Sequence, residues 1–257
     1  MIQLEQIKPF FPTQLTRNPV HQKYIVTLMK RTFLIICVVC FCACSKKSQD
    51  TKVQESSYAG TSFEDEKYKG GAQAIPGKVY CPYYDFGGEG IAYHDTDSVN
   101  HGSGELNPVD GSYLHAFRVN EGVDISYTKS NDMDNTPYNF VQPPMEQLYI
   151  GWTEPGEWVK YTVNVAETGL YNVSILYTSN QGGKISLAVN DVDATGPLSI
   201  TSTFNAEDPT GFRQWHHWNI IENLTQIQLE KGIQVLKLTT EETGQMNYAY
   251  LDFQSVH

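Results

Sequence analysis

All four tryptophans lie in two short segments, each beside a predicted turn. Trp152 and Trp158 flank the turn in GWTEPGEW, and Trp215 and Trp218 flank two histidines in WHHW. A tryptophan ring offers a large flat apolar surface and one N–H donor. Placed beside a turn at the end of a sheet, such a ring is suited to stacking against a sugar. The pattern therefore predicts a stacking surface wherever these rings face solvent.

Other residue spacings give little support for catalysis or metal binding. Glu154 and Glu157 are close in sequence, but glycoside hydrolysis needs two carboxyls at a defined separation across a bound sugar. Asp95 and Asp97 form a DxD pair, which is a common loop composition. The histidines lack zinc-site spacing, and no GxSxG or glycine-rich phosphate loop is present. We expect a protein that is not an enzyme, with no cofactor.

Strand periodicity separates the four tryptophans. In residues 158–165, WVKYTVNV, three valines and a tyrosine share one face, and Trp158 falls on the other. We therefore expect Trp158 on a wetted sheet face or under a covering loop. Trp152 stands where a strand runs into a turn, and Trp215 follows a loop at an edge. Trp218 shares parity with the next apolar residue and is expected in the core.

The elements that must position these residues are short strands. Alternation marks 158–165, 170–178 and 184–190, and residues 233–240 and 246–253 have the pattern of closing strands, all separated by Gly and Pro. With 12% aromatic and 18% charged residues, the composition is that of a folded β-rich domain. We predict an all-β fold, an antiparallel β-sandwich of the jelly-roll type.

One stretch, residues 126–147, interrupts the strand rhythm. It is a long polar segment with several prolines, SYTKSNDMDNTPYNFVQPPMEQ. A loop of that length in a compact β domain is usually functional or mobile. We call it the excursion and expect it to serve the site or to move.

Residues 29–44 have the character of a secretory signal peptide. A basic start at 29–31 precedes an apolar stretch of about 11 residues, too short to span a bilayer, and then Ala43 and Cys44. A small residue before a cysteine resembles the bacterial lipobox, so we expect lipidation of Cys44. An ordinary or uncleaved signal is the alternative. We expect translation to start at Met29 and residues 1–28 to be a misassigned upstream extension.

The sequence thus divides into four parts. Residues 1–28 are the upstream extension, 29–44 the lipoprotein signal peptide, 45–74 a flexible polar linker, and 75–257 the β-sandwich module. The formal net charge of −11 argues against a nucleic-acid partner, because phosphates demand basic patches. We expect a monomer that is lipid-anchored in a bacterial cell envelope, in the periplasm or at the surface.

Four segments resemble family 6 carbohydrate-binding modules. They are GGEGIAYHDTD at 87–97, EGVDI at 121–125, IGWTEPGEWVKYTVNVAETGLYNV at 150–173, and WHHW at 215–218. The resemblance runs from about residue 75 to 253 with the segments in the family's order. It implies a jelly-roll sandwich that binds carbohydrate without catalysis, a class usually appended to polysaccharide-degrading enzymes.

The resemblance also implies positions for the sugar contacts. In the family, two aromatics sandwich a sugar ring in a cleft at the end of the sandwich, and the matching residues here are Trp152 and Trp215. A polar residue near the module's start contacts hydroxyls, and the nearest matches are His94 and Asp95. A second cleft on the concave sheet face uses the tryptophan that matches Trp158.

Two departures from the family pattern bear on function. The family asparagine of the last strand is replaced by Ala249, and Asn247, two residues earlier on the same strand face, is the candidate substitute. The family's calcium-binding Glu-Ala-Glu is replaced by residues 80–82, Tyr-Cys-Pro, so we expect structural Ca²⁺ to be lost. Two readings stay open: binding of a polysaccharide, in particular a β-glycan, or a structural or protein-interaction module that has lost sugar binding.

Overall fold

The computed structural model describes residues 57–256, and secondary structure there is almost entirely strand. Two short 3-10 helices, Cys81–Tyr83 and Gly211–Trp215, and one π-helical turn, Gly102–Leu106, interrupt the strands. The strands, named in chain order, are β1 Gln73–Ile75, β2 Gly77–Tyr80, β3 Tyr93–His94, β4 Ile125–Tyr127, β5 Leu148–Ile150, β6 Trp158–Val165, β7 Gly169–Ser179, β8 Gly183–Val189, β9 Val192–Asp193, β10 Leu198–Ile200, β11 Asn219–Leu229, β12 Gly232–Glu242 and β13 Met246–Ser255.

The strands form two sheets. The first has the order β1-β6-β12-β8-β10, with β3 added on β6 and β9 on β8. The second has the order β11-β7-β13-β5-β4, with β2 added on β13. Strand pairs are antiparallel except for β1 and β6, which run parallel. The predicted all-β, two-sheet sandwich is confirmed, with this short parallel pair as the exception to antiparallel pairing.

The main core lies between the two sheets and follows from strand alternation. On β6, Val159 and Tyr161 point into it, and on β7 Ile175 and Tyr177 do the same. Full burial of such side chains stabilises the fold by about 1.5–3 kcal/mol each. Trp158, at the opposite parity of β6, is only partly buried, as the alternation predicts.

A second, smaller cluster lies on the other face of the second sheet. It contains Tyr149, Trp218 and Ala249, all essentially without solvent exposure, with Val141 of the excursion packed against them. The backbone N–H groups of Phe140 and Val141 both donate to the Trp218 carbonyl, at 2.9 and 3.0 Å. The excursion is therefore an ordered cover, and Trp218 is a core residue as parity predicts.

The described part of the predicted linker differs from expectation. Residues 57–74 pack on the sandwich, because Phe63 is buried and its ring lies 5.2 Å from Tyr83 and 5.5 Å from Phe117. The backbone of Thr61 also pairs with that of Phe86. A few aromatic side chains in a polar stretch have no period, so the sequence pattern missed their packing.

The other N-terminal predictions concern the upstream extension, the signal peptide with Cys44, and residues 45–56 of the linker. All of these lie outside the described residues. Within 57–256, no helix has both the length and the apolar character that a membrane crossing requires.

Candidate functional site

A cavity of about 240 Å³ lies at the end of the second sheet, where β5 ends and β13 begins. We call it the tryptophan cavity. Its lining contains Trp152, Trp215 and Asn247, three residues that the sequence placed in one site. Both indole rings are partly exposed. The other lining residues are Tyr149, Phe212, His216 and Gln245.

The backbone at Trp152 turns sharply, with φ at +50°. This left-handed conformation is rare for a bulky residue and costs on the order of 1–3 kcal/mol, so surrounding contacts must hold it. The neighbouring Thr153 supplies them: its hydroxyl donates to the Met246 carbonyl and accepts from the Met246 N–H, both at 3.1 Å. The Gln245 N–H also donates to the Thr153 carbonyl. The turn before β13 thereby fixes where Trp152 points.

Trp215 ends the 3-10 helix Gly211–Trp215, and its carbonyl oxygen is held by two donors. The Thr178 hydroxyl donates to it at 2.6 Å and the Asn247 amide nitrogen at 2.8 Å. The amide oxygen of Asn247 has no hydrogen-bond partner among residues 57–256. It lies beside Gly151, where an added Cβ would come within 2.8 Å of it. Asn247 thus positions Trp215 and keeps a free acceptor in the cavity.

A buried ion pair stabilises the loop that carries Trp215. Both carboxylate oxygens of Asp208 accept from the Arg213 guanidinium, at 2.6 and 2.7 Å. His217 Nε2 lies 2.8 Å from the same carboxylate, whose side chain has no solvent exposure. The hydrogen bonds from Arg213 hold the pKa of Asp208 well below its usual range. The loop is therefore fixed by charge-assisted bonds rather than by apolar packing alone.

The excursion reaches the same segment through Asp134. The Asp134 carboxylate accepts from Trp218 Nε1 at 2.7 Å, lies 2.9 Å from His216 Nδ1, and accepts from the Lys129 N–H at 2.7 Å. It is fully buried. A polar loop residue of this kind positions the residue next to Trp215, and no sequence spacing identified it.

Four lining residues were missed by the sequence analysis. Phe212 is exposed, with 65% of its surface accessible, and an aromatic ring three residues before Trp215 in the polar stretch DPTGFRQW was a usable signal. Gln245 belongs to the turn that fixes Trp152, so its role depends on a tertiary contact. His216 and Tyr149 were hidden for the same reason.

His94 and Asp95 lie elsewhere. The resemblance implied that they join Trp152 and Trp215, whereas β3 pairs with β6 and sets His94 opposite Trp158. The imidazole centroid is 6.3 Å from the indole centroid. His94, Asp95 and Trp158 line a separate shallow depression of about 20 Å³. Strand register therefore separates the six predicted residues into two groups of three.

Two carboxyl groups around this depression, Asp95 and Asp124, have raised pKa values. Burial raises the pKa of Asp95 to about 7, and the nearby charges of Glu157 and Asp124 contribute to the rise. Burial likewise raises the pKa of Asp124 to about 6. Glu157 accepts hydrogen bonds from the Thr96 N–H and hydroxyl, at 3.1 and 2.7 Å. Glu157, the residue that precedes β6, is thereby linked to the loop that follows β3.

Trp158 lies on the outer face of the first sheet. The ammonium groups of Lys160 and Lys237 are 5.5 and 5.8 Å from its ring centroid, within reach of cation–π attraction. Lys160 also forms an ion pair with Asp191 at 2.6 Å. The ring therefore shares its surroundings with two cations, unlike the rings of the tryptophan cavity.

The described residues offer no group of three or more His, Cys, Asp or Glu side chains arranged to hold a metal ion. At the position of the family's calcium ligands, Cys81 is fully buried and its thiol pKa is raised to about 12 by that burial. The neighbouring Pro82 is also buried. The residues present do not suit Ca²⁺, which needs several oxygen ligands.

Comparison with solved structures finds family 6 modules at low sequence identity and with TM-scores below 0.5. A β-1,3-glucan-binding family 6 module from Bacillus halodurans is 13% identical, with 72% of this chain and 99% of that one covered at a TM-score of 0.42. A family 6 module from Clostridium stercorarium, in complex with cellobiose, is 10% identical, with coverage of 73% and 99% at 0.43. A module of lichenase 5A from Cellvibrio mixtus, in complex with cellotriose, is 17% identical, with coverage of 53% and 88% at 0.38.

No curated protein matches the chain. The profile of the family described as carbohydrate binding module (family 6) matches residues 116–256. That match starts after the GGEGIAYHDTD segment, although strands β1 to β3 extend the same sheets. It covers more than half of the 257 residues and identifies a non-catalytic module. The chain therefore belongs to carbohydrate-binding module family 6.

Proposed function

We propose that the chain binds a β-linked polysaccharide in the tryptophan cavity. The observation that carries the proposal is the convergence of Trp152, Trp215 and Asn247 on one cavity. The two indole rings supply stacking surfaces, and the free amide oxygen of Asn247 accepts a hydrogen bond from a sugar hydroxyl. A β-linked pyranose with equatorial hydroxyls presents the flat C–H face that such rings accommodate.

The expected affinity is modest. Covering one sugar face on a tryptophan hides roughly 80 Å² of apolar surface, or about 2 kcal/mol. Two rings give about 4 kcal/mol, to which a few hydrogen bonds add and from which ordering costs subtract. The sum corresponds to a Kd between about 10 μM and 1 mM. Such a site suits a polymer that offers many repeats to a tethered protein.

Titration calorimetry against a glycan panel tests the proposal. The panel contains β-1,3-glucan, cello-oligosaccharides and xylan. We expect Trp152→Ala and Trp215→Ala each to weaken binding roughly 30-fold, the equivalent of about 2 kcal/mol. Trp158→Ala is the matched control, because it removes a partly exposed tryptophan from the other site and leaves the tryptophan cavity intact.

Two outcomes contradict the proposal. If the wild-type chain binds nothing on the panel but captures one specific protein, the module has kept the fold and taken a protein-interaction role. If Trp158→Ala abolishes binding while Trp152→Ala does not, the sugar binds on the outer face of the first sheet.

The signal pattern supports a lipid anchor at Cys44, which would hold the module on a bacterial cell envelope. Metabolic labelling with a fatty-acid analogue tests this. The wild-type chain should be labelled and found in the membrane fraction, whereas Cys44→Ala should carry no label and should be absent from that fraction. Labelling that persists in Cys44→Ala would place the modification on another residue. The start at Met29 predicts that no peptide from residues 1–28 is found in the expressed precursor.

A further inference from the structure

Three polar side chains of the tryptophan cavity share one arrangement, in which each uses its donor atom inside the fold. They are His216, Gln245 and Asn247, the lining residues that carry a hydrogen-bond donor and an acceptor on separate atoms. The protein partner of each donor decides which atom is left for a ligand. The three partners differ, but each leaves an acceptor.

His216 is held by a buried carboxylate of the excursion. Its Nδ1 lies 2.9 Å from Asp134 Oδ1, which also accepts from Trp218 Nε1 at 2.7 Å. The other carboxylate oxygen accepts from the backbone N–H of Lys129 at 2.7 Å. Because an ionised carboxylate can only accept, the proton of a neutral His216 ring belongs on Nδ1. Nε2 has no hydrogen-bond partner among residues 57–256, so it is a bare acceptor.

The two amides are oriented by the same rule. Gln245 Nε2 donates to the Glu154 carboxylate at 2.5 Å. Asn247 Nδ2 donates to the Trp215 carbonyl and to the Thr178 hydroxyl, both at 2.8 Å. A carboxylate and a carbonyl have no proton to give, so reversing either amide would set two acceptors against each other. The amide oxygens of Gln245 and Asn247 therefore remain for a ligand.

Side-chain donors are scarce in the same cavity. The Tyr149 hydroxyl is hydrogen-bonded to Ser126, so the indole N–H groups of Trp152 and Trp215 are the side-chain donors that remain. A sugar hydroxyl can donate as well as accept, and it therefore suits this lining. A sugar carboxylate or sulfate can only accept, and it would meet lone pairs.

The charges around the cavity favour the same discrimination. Among the seven lining residues there is no lysine or arginine, whereas the carboxylates of Asp134 and Glu154 contact lining side chains directly. Lys129 offsets part of the Asp134 charge, and Arg213 is bound by both carboxylate oxygens of Asp208. No cation is left to attract an anionic sugar, in a chain whose formal net charge is −11.

We propose, on the basis of the function proposed above, that His216 is a specificity-determining residue of the tryptophan cavity and that Asp134 is the positioning residue that fixes its tautomer. His216 Nε2 and the amide oxygens of Gln245 and Asn247 accept hydrogen bonds from hydroxyl groups of the bound sugar. The cavity therefore selects neutral sugars with free hydroxyls and rejects uronic acids and sulfated sugars.

The tautomer can be measured without a ligand. Long-range proton–nitrogen NMR of the full chain at about pH 8, where histidine side chains are ordinarily neutral, should show His216 with a proton on Nδ1 and none on Nε2. In Asp134→Leu the proton should move in part to Nε2, which a purely structural role of Asp134 would not produce. A wild-type ring that carries a proton on Nε2, or on both nitrogens, overturns the proposal even if Asp134→Leu folds poorly.

Titration calorimetry of the full chain tests the selectivity. The neutral probes are β-1,3-linked and β-1,4-linked glucotetraose, and the matched acidic probes are the same tetraoses oxidised to carboxylates at the sixth carbon. We expect a neutral probe to bind and its acidic counterpart to bind at least about tenfold more weakly.

Variants of His216 test its own contribution. His216→Leu should weaken binding of the neutral probe about fivefold and narrow the gap between the neutral and acidic probes. His216→Gln, which offers an acceptor again, should restore most of the affinity. His101→Leu is the matched control, because His101 also pairs with a carboxylate, Glu105 at 2.7 Å, outside this cavity.

The outcomes separate the role of His216 from the proposed function. If neither neutral probe binds, the proposed function fails for β-glucans, and the role of His216 fails with it. If a neutral probe binds, equal binding of its acidic counterpart overturns only the role of His216. Equal affinities of His216→Leu and His101→Leu for the neutral probe do the same.

Discussion

The ion pair between Asp208 and Arg213 holds the loop that presents Trp215, and its removal should be costly. Asp208→Ala removes two charge-assisted bonds, at 2.6 and 2.7 Å, and leaves a guanidinium that is only 11% exposed. Its remaining carboxylate contact is Asp132, an exposed residue at 3.4 Å. Removing one partner of a buried pair costs about 3–5 kcal/mol. For a folded unit of this size, that lowers Tm by roughly 6–20 °C.

The assay is thermal unfolding of the full chain, followed by titration with a glycan that the wild type binds. Asp208→Ala should lower Tm and also weaken glycan binding at temperatures where the chain is still folded, because Trp215 loses its support. Glu242→Ala is the control: it breaks an exposed pair with Lys184, at 2.9 Å, and should cost no more than about 1 kcal/mol.

A double variant shows whether the cost comes from the orphaned charge. Asp208→Leu combined with Arg213→Met removes both charges, so it should be less destabilising than Asp208→Leu alone. The reasoning is refuted if Asp208→Ala changes Tm by no more than Glu242→Ala does. It is also refuted if the loss of stability in the double variant equals the sum of the losses in Asp208→Leu and Arg213→Met.

Three further predictions concern other parts of the molecule. Folding raises the pKa of Asp95 to about 7 and that of Asp124 to about 6. The stability that these two carboxyls contribute is complete below the unfolded-state pKa of about 3.9 and is lost as pH rises through the folded-state pKa values. Between pH 4 and pH 7, Tm should therefore fall by less in Asp95→Asn than in the wild type. Gly151→Ala places a Cβ 2.8 Å from the Asn247 amide oxygen and should weaken glycan binding about tenfold, measured by calorimetry, with urea unfolding as the check on stability. Cys81, buried with a pKa of about 12, should resist iodoacetamide in the folded chain and react only after unfolding, as peptide mass spectrometry would show.

Strand alternation predicted the features of the fold that depend on local pattern. It assigned Trp158 and Trp218 to opposite environments, and the structure shows partial exposure for the first and full burial for the second. Period-2 alternation reports burial directly, because one face of each strand meets the core. Which loops meet at a sheet end depends on strand register. For this reason His94 and Asp95 were expected beside Trp152 and Trp215, whereas they lie beside Trp158.

Contacts made by polar loop residues were the least predictable. Asp134 sits in the excursion with no apolar period around it, yet its carboxylate contacts both Trp218 and His216. A buried polar group needs partners from elsewhere in the chain, and a single sequence does not show which ones. Phe63 was missed for a related reason, since one aromatic in a polar stretch produces no pattern.

The replacement of the family asparagine by Ala249 has a different meaning in the folded protein. β13 carries a register shift between Tyr248 and Tyr250, so Ala249 is the extra residue of a bulge, and it packs without exposure in the cluster around Trp218. An amide side chain there would be buried rather than open to a ligand. Asn247 meanwhile lines the tryptophan cavity and bonds to the Trp215 carbonyl. The amide needed for a sugar hydroxyl is thus present two residues earlier, and the sequence departure alone does not argue against binding.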